Sequence, residues 1–382
     1  MKFIRYACLL FVLTALFLVG GVHKAYAATA LTCPAGRSLN VVAHEDDDLL
    51  FMNPDVLHDI QAGKCVRTIF LTAGDAGKGW DYWLSREDGM HAAYAEMAGT
   101  DNSWTVAAPT VAGHTITQAT LQGDPRVSLV FLRLPDGGRG ASTGFASTNY
   151  ESLRQLWQGA LPELHAVDGS ASYTRGQLTD LLAREMIDYR ADTIRALDFT
   201  ALYNDADGAD HADHLTSAYF TQVAQAASGV PSHQFSGYRG YSVAEEYPNV
   251  EGEALASKQA AFFAYDQYGA RDCMDVEVCD LAMGNYLHRQ YPADSLFVAG
   301  SAPIVPVAAV SADLQPVAET TAPAASPDKL ACHAVPITGL ALIHVTGNLD
   351  WSPAATSEAI VQPSESRALP ADCPTPAGPP SV

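Results

Sequence analysis

The sequence predicts an α/β fold: a Rossmann-like, mostly parallel sheet with helices on both faces, followed by a Pro/Ala-rich C-terminal tail. Three observations lead there. Apolar, β-branched runs that read as strands alternate with helix-like segments as far as about Gly300, the pattern of a parallel sheet wound with helices. The stretch that carries them is long enough for one sizeable core. From Ser301 to Asp328, Pro, Ala, Val, Thr and Ser then take over with almost no periodicity, which reads as a linker.

Taken in order, the chain opens like a secretory signal peptide. Lys2 and Arg5 precede an apolar run from Ala7 to Val22, and Ala25-Tyr26-Ala27 offers small residues for cleavage before Ala28. A retained anchor is the alternative, although Gly20 and Gly21 interrupt a run that is short for a span. Residues 1–27 are therefore expected to be removed, with export from the cytoplasm and no stable membrane anchor afterwards. The strands are expected at Leu39–Ala43, Val66–Thr72, Val127–Leu134 and Ile194–Leu202. A helix is expected to open at Asn53-Pro54, with Asn53 as N-cap, and to end at Gly63. Further helices are expected over Ser85–Ala98, closed by Gly99, and over Glu151–Leu164. The expected domain runs from 28 to 300, the linker over 301–330 and a small appendage over 331–382, where only Gly339–Val345 resembles a strand. In a sheet of this kind ligands bind beyond the carboxyl ends of the strands.

The formal charge is −21, and loss of the signal peptide removes Lys2, Arg5 and Lys24 but no acid, leaving −24. Such a field repels phosphate backbones and anionic membranes, so nucleic acid is excluded as a partner. Seven cysteines include Cys8 in the signal segment; the other six form an even set in an exported chain, which suggests disulfides. The pairing is not determined by sequence. Bridges kept within one region are Cys33–Cys65, Cys273–Cys279 and Cys332–Cys373.

Two clusters carry the chemistry. At the first, a strand runs directly into Val41-Val42-Ala43-His44-Glu45-Asp46-Asp47-Asp48. His44 and Asp47 are three residues apart, so one turn of backbone can aim both at one point, and imidazole with carboxylate suits Zn²⁺. Asp46 lies between them and can face a metal-bound water. The plainer alternative is that these acids only favour the positive end of a following helix. The second cluster, Asn204 to His214, follows the fourth strand and ends in His211-Ala212-Asp213-His214. His44, Asp47 and His214 as ligands would leave a fourth position for water, as catalytic zinc requires. Read as a calcium loop, the segment would put Tyr203 at the first ligand position and His214 at the last, so it fails at both ends. A solvated acidic loop with incidental histidines is the other alternative.

These residues resemble the PIG-L, or LmbE-like, zinc deacetylases. The first motif of that family, Ala-His-Pro-Asp-Asp-Glu, stands here as Ala43-His44-Glu45-Asp46-Asp47-Asp48, and its His-Pro-Asp-His as His211-Ala212-Asp213-His214. Val66–Gly74 with Gly77, Arg86, Leu134-Pro135-Asp136-Gly137, and Lys258 with Tyr265 are similar to other family segments, over roughly residues 38–270. The resemblance implies zinc held by His44, Asp47 and His214. It implies Asp46 as general base, and a charged His211 that stabilises an oxyanion or protonates the leaving amine. Arg86 and Asp136 would contact substrate. The implied reaction is removal of an N-acetyl group from an N-acetylglucosamine-type sugar or glycoconjugate. Both motif prolines are replaced, by Glu45 and Ala212, and Ala209 stands where some members carry a tyrosine.

Three other readings compete. Gly140-Ala141-Ser142-Thr143-Gly144 matches the Gly-x-Ser-x-Gly pattern of serine hydrolases, but Pro135-Asp136-Gly137-Gly138 separates it from its strand, where a nucleophile elbow requires a direct strand–helix junction. Gly74, Gly77 and Gly79 suggest a nucleotide loop, yet Lys78 is followed by glycine and not by Ser or Thr. A non-catalytic carbohydrate-binding protein on the same scaffold is the remaining class. Trp80, Tyr82 and Trp83 can stack on sugar rings or pack a loop.

Overall fold

The computed structural model describes residues 31–140, 142–204, 210–268, 273 and 275–298. The signal segment, the linker, the appendage and the Cys332–Cys373 pair lie outside the described residues. Among the described residues, no helix is long and apolar enough to cross a membrane.

Eight strands form the main sheet: β1 (Arg37–Val42), β2 (Cys65–Thr72), β3 (Trp104–Ala107), β4 (Thr117–Leu121), β5 (Val127–Leu134), β6 (Thr193–Leu197), β7 (His233–Tyr238) and β8 (Pro292–Val298). Their order is β8-β7-β6-β1-β2-β5-β4-β3. The five strands from β7 to β5 pair in parallel, while β8, β4 and β3 add antiparallel edges. The expected mostly parallel sheet is thus present, with β1 at its centre. Leu39, Val41, Val42, Ile69, Phe70, Leu129 and Val130 are all buried in the core, as strands covered on both faces require.

The helices are α1 (Asp55–Gln61), α2 (Trp80–Ala98), α3 (Leu153–Gln158), α4 (Arg175–Tyr189), α5 (Ala212–Ser228), α6 (Gly252–Asp266) and α7 (Val276–Leu287). They pack as two groups. One holds α1, α2, α6 and α7, the other α3, α4 and α5. Gly89 decides how closely α2 meets α6. A Cβ there would lie 2.6 Å from the carbonyl oxygen of Tyr265. The glycine costs helix stability, about 1 kcal/mol against alanine, and in exchange α2 can bring Arg86 up to Tyr265.

Several expected boundaries move. Helix α1 begins one residue late, with Pro54 as N-cap, although the Asn53 Oδ1 atom still accepts from the Leu57 amide at 3.1 Å. The expected helix at Ser85 starts at Trp80, so Trp80, Tyr82 and Trp83 lie on its first turn rather than in a loop. Helix α3 is only Leu153–Gln158, capped by Ser152 and stopped by Gly159 in the left-handed region at φ +76°. Strand β6 stops at Leu197 because the Asp198 carboxylate accepts from the amides of Thr200 and Ala201, a turn that ends the ladder. Two disulfides, Cys33–Cys65 and Cys273–Cys279, match the expected pairing.

Candidate active site

Strand β1 ends at Val42 and the chain turns sharply beyond it. The turn is clipped by its own acid: Asp47 Oδ2 accepts from the amides of Ala43 at 3.1 Å and His44 at 2.7 Å. The other carboxylate oxygen then faces His214, whose Nε2 lies 3.0 Å away. His44 Nδ1 is 3.5 Å from Asp47. Between the two, Asp46 takes φ +133°, a region that costs a non-glycine residue about 1–3 kcal/mol and is found mostly at functional positions. Its carboxylate meets Arg86 Nη2 at 3.0 Å.

The second wall is the start of α5. His211 is the N-cap, and its Nδ1 accepts from the Asp213 amide at 3.2 Å. Neutral His211 therefore carries its proton on Nε2, which points at Asp136 Oδ1, 3.6 Å away. Asp213 Oδ2 accepts from the Gly137 amide at 2.8 Å, tying α5 to the turn after β5. One helical turn on, the His214 Nδ1 faces Asp210 Oδ1 at 2.8 Å. A carboxylate there holds the Nδ1 proton and aims Nε2 into the site, the usual arrangement behind a metal-ligating imidazole.

The donor set fits a metal. Ligand atoms of His44, Asp47 and His214 lie within 4.8 Å of one another. The Nε2 atoms of His44 and His214 are buried without a well-aligned hydrogen bond, their carboxylate neighbours being Asp213 Oδ2 at 3.5 Å and Asp47 Oδ1 at 3.0 Å, an expensive state for polar atoms unless something else binds them. A second group, His44, Asp136, His211 and Asp213, is equally close. In it Asp213 Oδ2 is engaged by Gly137, His211 Nδ1 by Asp213 and Asp136 Oδ1 by the Gly138 amide at 2.7 Å, while His44 Nε2 and Asp213 Oδ1 have no hydrogen-bond partner. The two groups share His44, and both offer the nitrogen and oxygen donors that suit zinc.

Burial and charge set the protonation states. Burial pulls the His214 imidazole down, but Asp47 and Asp210 outweigh it and hold its pKa at about 9, so a metal that takes Nε2 must displace a proton from it. His44 is likewise lifted well above its ordinary value by Asp47, Asp213 and Asp136, against its burial. Asp47 is raised by burial and then driven well below the carboxylate range by the two imidazoles. Asp46 is pushed up to about 6, by burial first, with Arg86 opposing and Asp47 assisting. His211 goes the other way. Burial and the neighbouring His44 push it down to about 4, which favours the neutral form.

Arg86 sits behind Asp46 at the centre of a tight set of acceptors. Nε donates to the Tyr265 hydroxyl at 2.8 Å, Nη1 to the Gly74 carbonyl at 2.7 Å, and Nη2 to the Glu45 carbonyl. The Glu45 side chain is fully buried and neither oxygen makes a hydrogen bond. Burial pushes it up to about 8, against the pull of Arg86. Asp48 accepts from Tyr94, whose hydroxyl also meets Thr68. Asp136 is held by Asp75, whose Oδ1 accepts from the Asp136 amide at 2.8 Å. Ser142 is buried, and its hydroxyl has no hydrogen-bond partner, so no base is placed to activate it as a nucleophile.

The structure thus brings His44, Asp46, Asp47, Arg86, Asp136, His211 and His214 to one end of the sheet. Asp210, Asp213 and Asp75 were missed by the sequence reading as site residues. The four-residue spacing of Asp210 from His214 was an available signal for the first, since side chains so spaced meet at a helix start.

The family model described as PIG-L, GlcNAc-PI de-N-acetylase, matches residues 39–225. No curated protein sequence matches the chain. Among solved structures, the N,N'-diacetylchitobiose deacetylase of Pyrococcus horikoshii is 13% identical, covering 69% of this chain and 84% of that one, with a TM-score of 0.39. A deacetylase of teicoplanin biosynthesis is 15% identical over 69% of this chain and 100% of its own, with a TM-score of 0.40. The 4-carboxy-2-hydroxymuconate hydratase GalB of Pseudomonas putida is 12% identical over 70% of this chain and 98% of its own, with a TM-score of 0.35. All three likenesses are remote.

Proposed function

Residues 39–225 belong to the PIG-L family, and from that premise we propose that this protein is a zinc-dependent de-N-acetylase acting on an N-acetylglucosamine-type sugar or glycoconjugate. The observation that carries the reading is the convergence of His44, Asp47 and His214, with His214 Nε2 3.0 Å and His44 Nδ1 3.5 Å from the buried Asp47 carboxylate and Asp46 alongside. His44, Asp47 and His214 would hold the metal. Zinc bound there supplies a water of lowered pKa and a Lewis acid for the amide carbonyl.

The chain's own residues do the rest. Asp46, near pKa 6 and fixed by Arg86, takes a proton from the water as it adds to the acetyl carbon. His211, neutral with its proton on Nε2, donates to the developing oxyanion, and Asp136 orients that ring. When the C–N bond breaks, the proton held by Asp46 passes to the leaving nitrogen, giving acetate and a free amine. Arg86 spends most of its donors on the protein, so its part is chiefly to position Asp46. We place the protein outside the cytoplasm, in keeping with the two disulfides among the described residues.

The test is metal content together with acetate release across N-acetylated sugars. His214→Ala should lose most of the bound zinc. Full occupancy in that variant would sink the ligand assignment, and a fully loaded wild type that releases no acetate from any sugar would sink the activity.

A further inference from the structure

Beside the proposed catalytic site lies a separate cavity of about 270 Å³. It shares a wall with the site. Asp75 lines it, and Asp75 also holds the Asp136 amide. Pro135, the residue before Asp136, lines it too. The volume is below the ~300–1,000 Å³ of sites that enclose a drug-sized ligand, so it has room for one ring, not several.

Its surface mixes an aromatic platform with polar groups of both signs. Trp80, on the first turn of α2, leaves 66% of its surface in water at the cavity edge. Trp83 beneath is buried, with the Arg133 guanidinium 5.1 Å from its ring centre. Lys78, Asp75 and Glu151 bring one amine and two carboxylates. Glu151 is fixed by His165, whose amide donates to it at 2.9 Å. Asn149 lines the cavity at φ +54°, and the next residue, exposed Tyr150, is at φ +60°. Two successive non-glycine residues in the left-handed region are strained backbone held next to this cavity.

This combination selects a neutral polyhydroxylated ring. Such a ring lays its C–H face on an indole and offers hydroxyls to amine and carboxylate alike. A phosphorylated ligand would meet Asp75 and Glu151, and an apolar one would strip water from both carboxylates without pairing them. We propose that the cavity is a second saccharide subsite, so that the substrate is an oligosaccharide whose acetylated ring sits at the His–Asp site and whose neighbouring ring stacks on Trp80. The proposal rests on the deacetylase reading only for the identity of the first ring.

The experiment is calorimetric titration of the full chain, with metal removed so that nothing turns over, using N-acetylglucosamine and its β-1,4-linked trimer. Wild type should bind the trimer about tenfold or more tightly than the monosaccharide. Trp80→Ala should weaken trimer binding about tenfold more than monosaccharide binding, and Trp80→Phe should restore part of the difference. Equal affinity for the two sugars in wild type, or a Trp80→Ala variant that weakens both alike, overturns the subsite. Acetate release by the zinc-loaded protein separates the two ideas. Release without trimer preference removes the subsite alone, and trimer preference without release supports the subsite while removing the deacetylase.

Discussion

Asp46 and Asp47 are adjacent, equally acidic by nature, and held in opposite ways. Asp47 is clipped by two amides and flanked by imidazoles, whereas Asp46 is turned away by a strained backbone onto a single guanidinium. Substituting each in turn should therefore separate metal binding from chemistry. Asp46→Asn keeps the shape and the contact with Arg86 but removes the basicity, so zinc content should hold while kcat falls by roughly two to four orders of magnitude. Asp47→Asn should instead shed metal. Metal analysis and kcat measured side by side decide it, and the reverse pattern would exchange the two roles. The residues that sequence exposed here were those whose partners are local: His44 with Asp47 in one turn, His211 with His214 at one helix start. Glu45 was legible only as a departure from the resembled motif. Its burial is imposed by Arg86 and Gly74 from the next strand–helix junction, which no local spacing announces.

Among the elements, the central strands were readable and the edges were not. Strands β1, β2 and β5 are covered on both faces and spell continuous apolar runs. Strand β3 is exposed over three of its four residues, and β7, His233–Tyr238, mixes His, Gln, Ser and Gly with its apolar positions. The charged residue inside β6 has a distinct job. Arg195 is buried and donates from Nη1 to Asp59 Oδ2 at 2.6 Å and to Asn40 Oδ1 at 3.3 Å, joining β6 to α1 and β1. Burial raises the Asp59 pKa, but Arg195 and Lys64 together outweigh it and the net shift is downward. A depressed carboxylate contributes stability above its unfolded pKa of about 3.9 and loses it as pH falls through the folded value. Asp59→Asn should therefore cost about 3 kcal/mol at pH 7, largely from leaving Arg195 unpaired, and the gap to wild type should narrow below about pH 4. Urea unfolding of both proteins at pH 7 and pH 3.5 measures the gap; a constant difference would mean that the pair does not titrate with folding.

On the scale of the whole molecule, the site is a meeting of distant pieces. His44 follows β1, Arg86 comes from α2, Asp136 follows β5 and His214 comes from α5, so the donors converge only when the sheet and both helix groups are assembled. In the unfolded chain they have no common focus. An ion that binds the assembled set and not the dispersed one draws the folding equilibrium toward the native state by mass action, by about 2.7 kcal/mol at a free concentration a hundred times its Kd. The melting temperature of the protein should accordingly climb with free zinc and fall on chelation, and His214→Ala should melt at one temperature whatever the zinc concentration. The same convergence makes the metal a reporter of folding: a chain that has lost its native sheet cannot retain the ion, so the ion's release marks global unfolding and not local fraying.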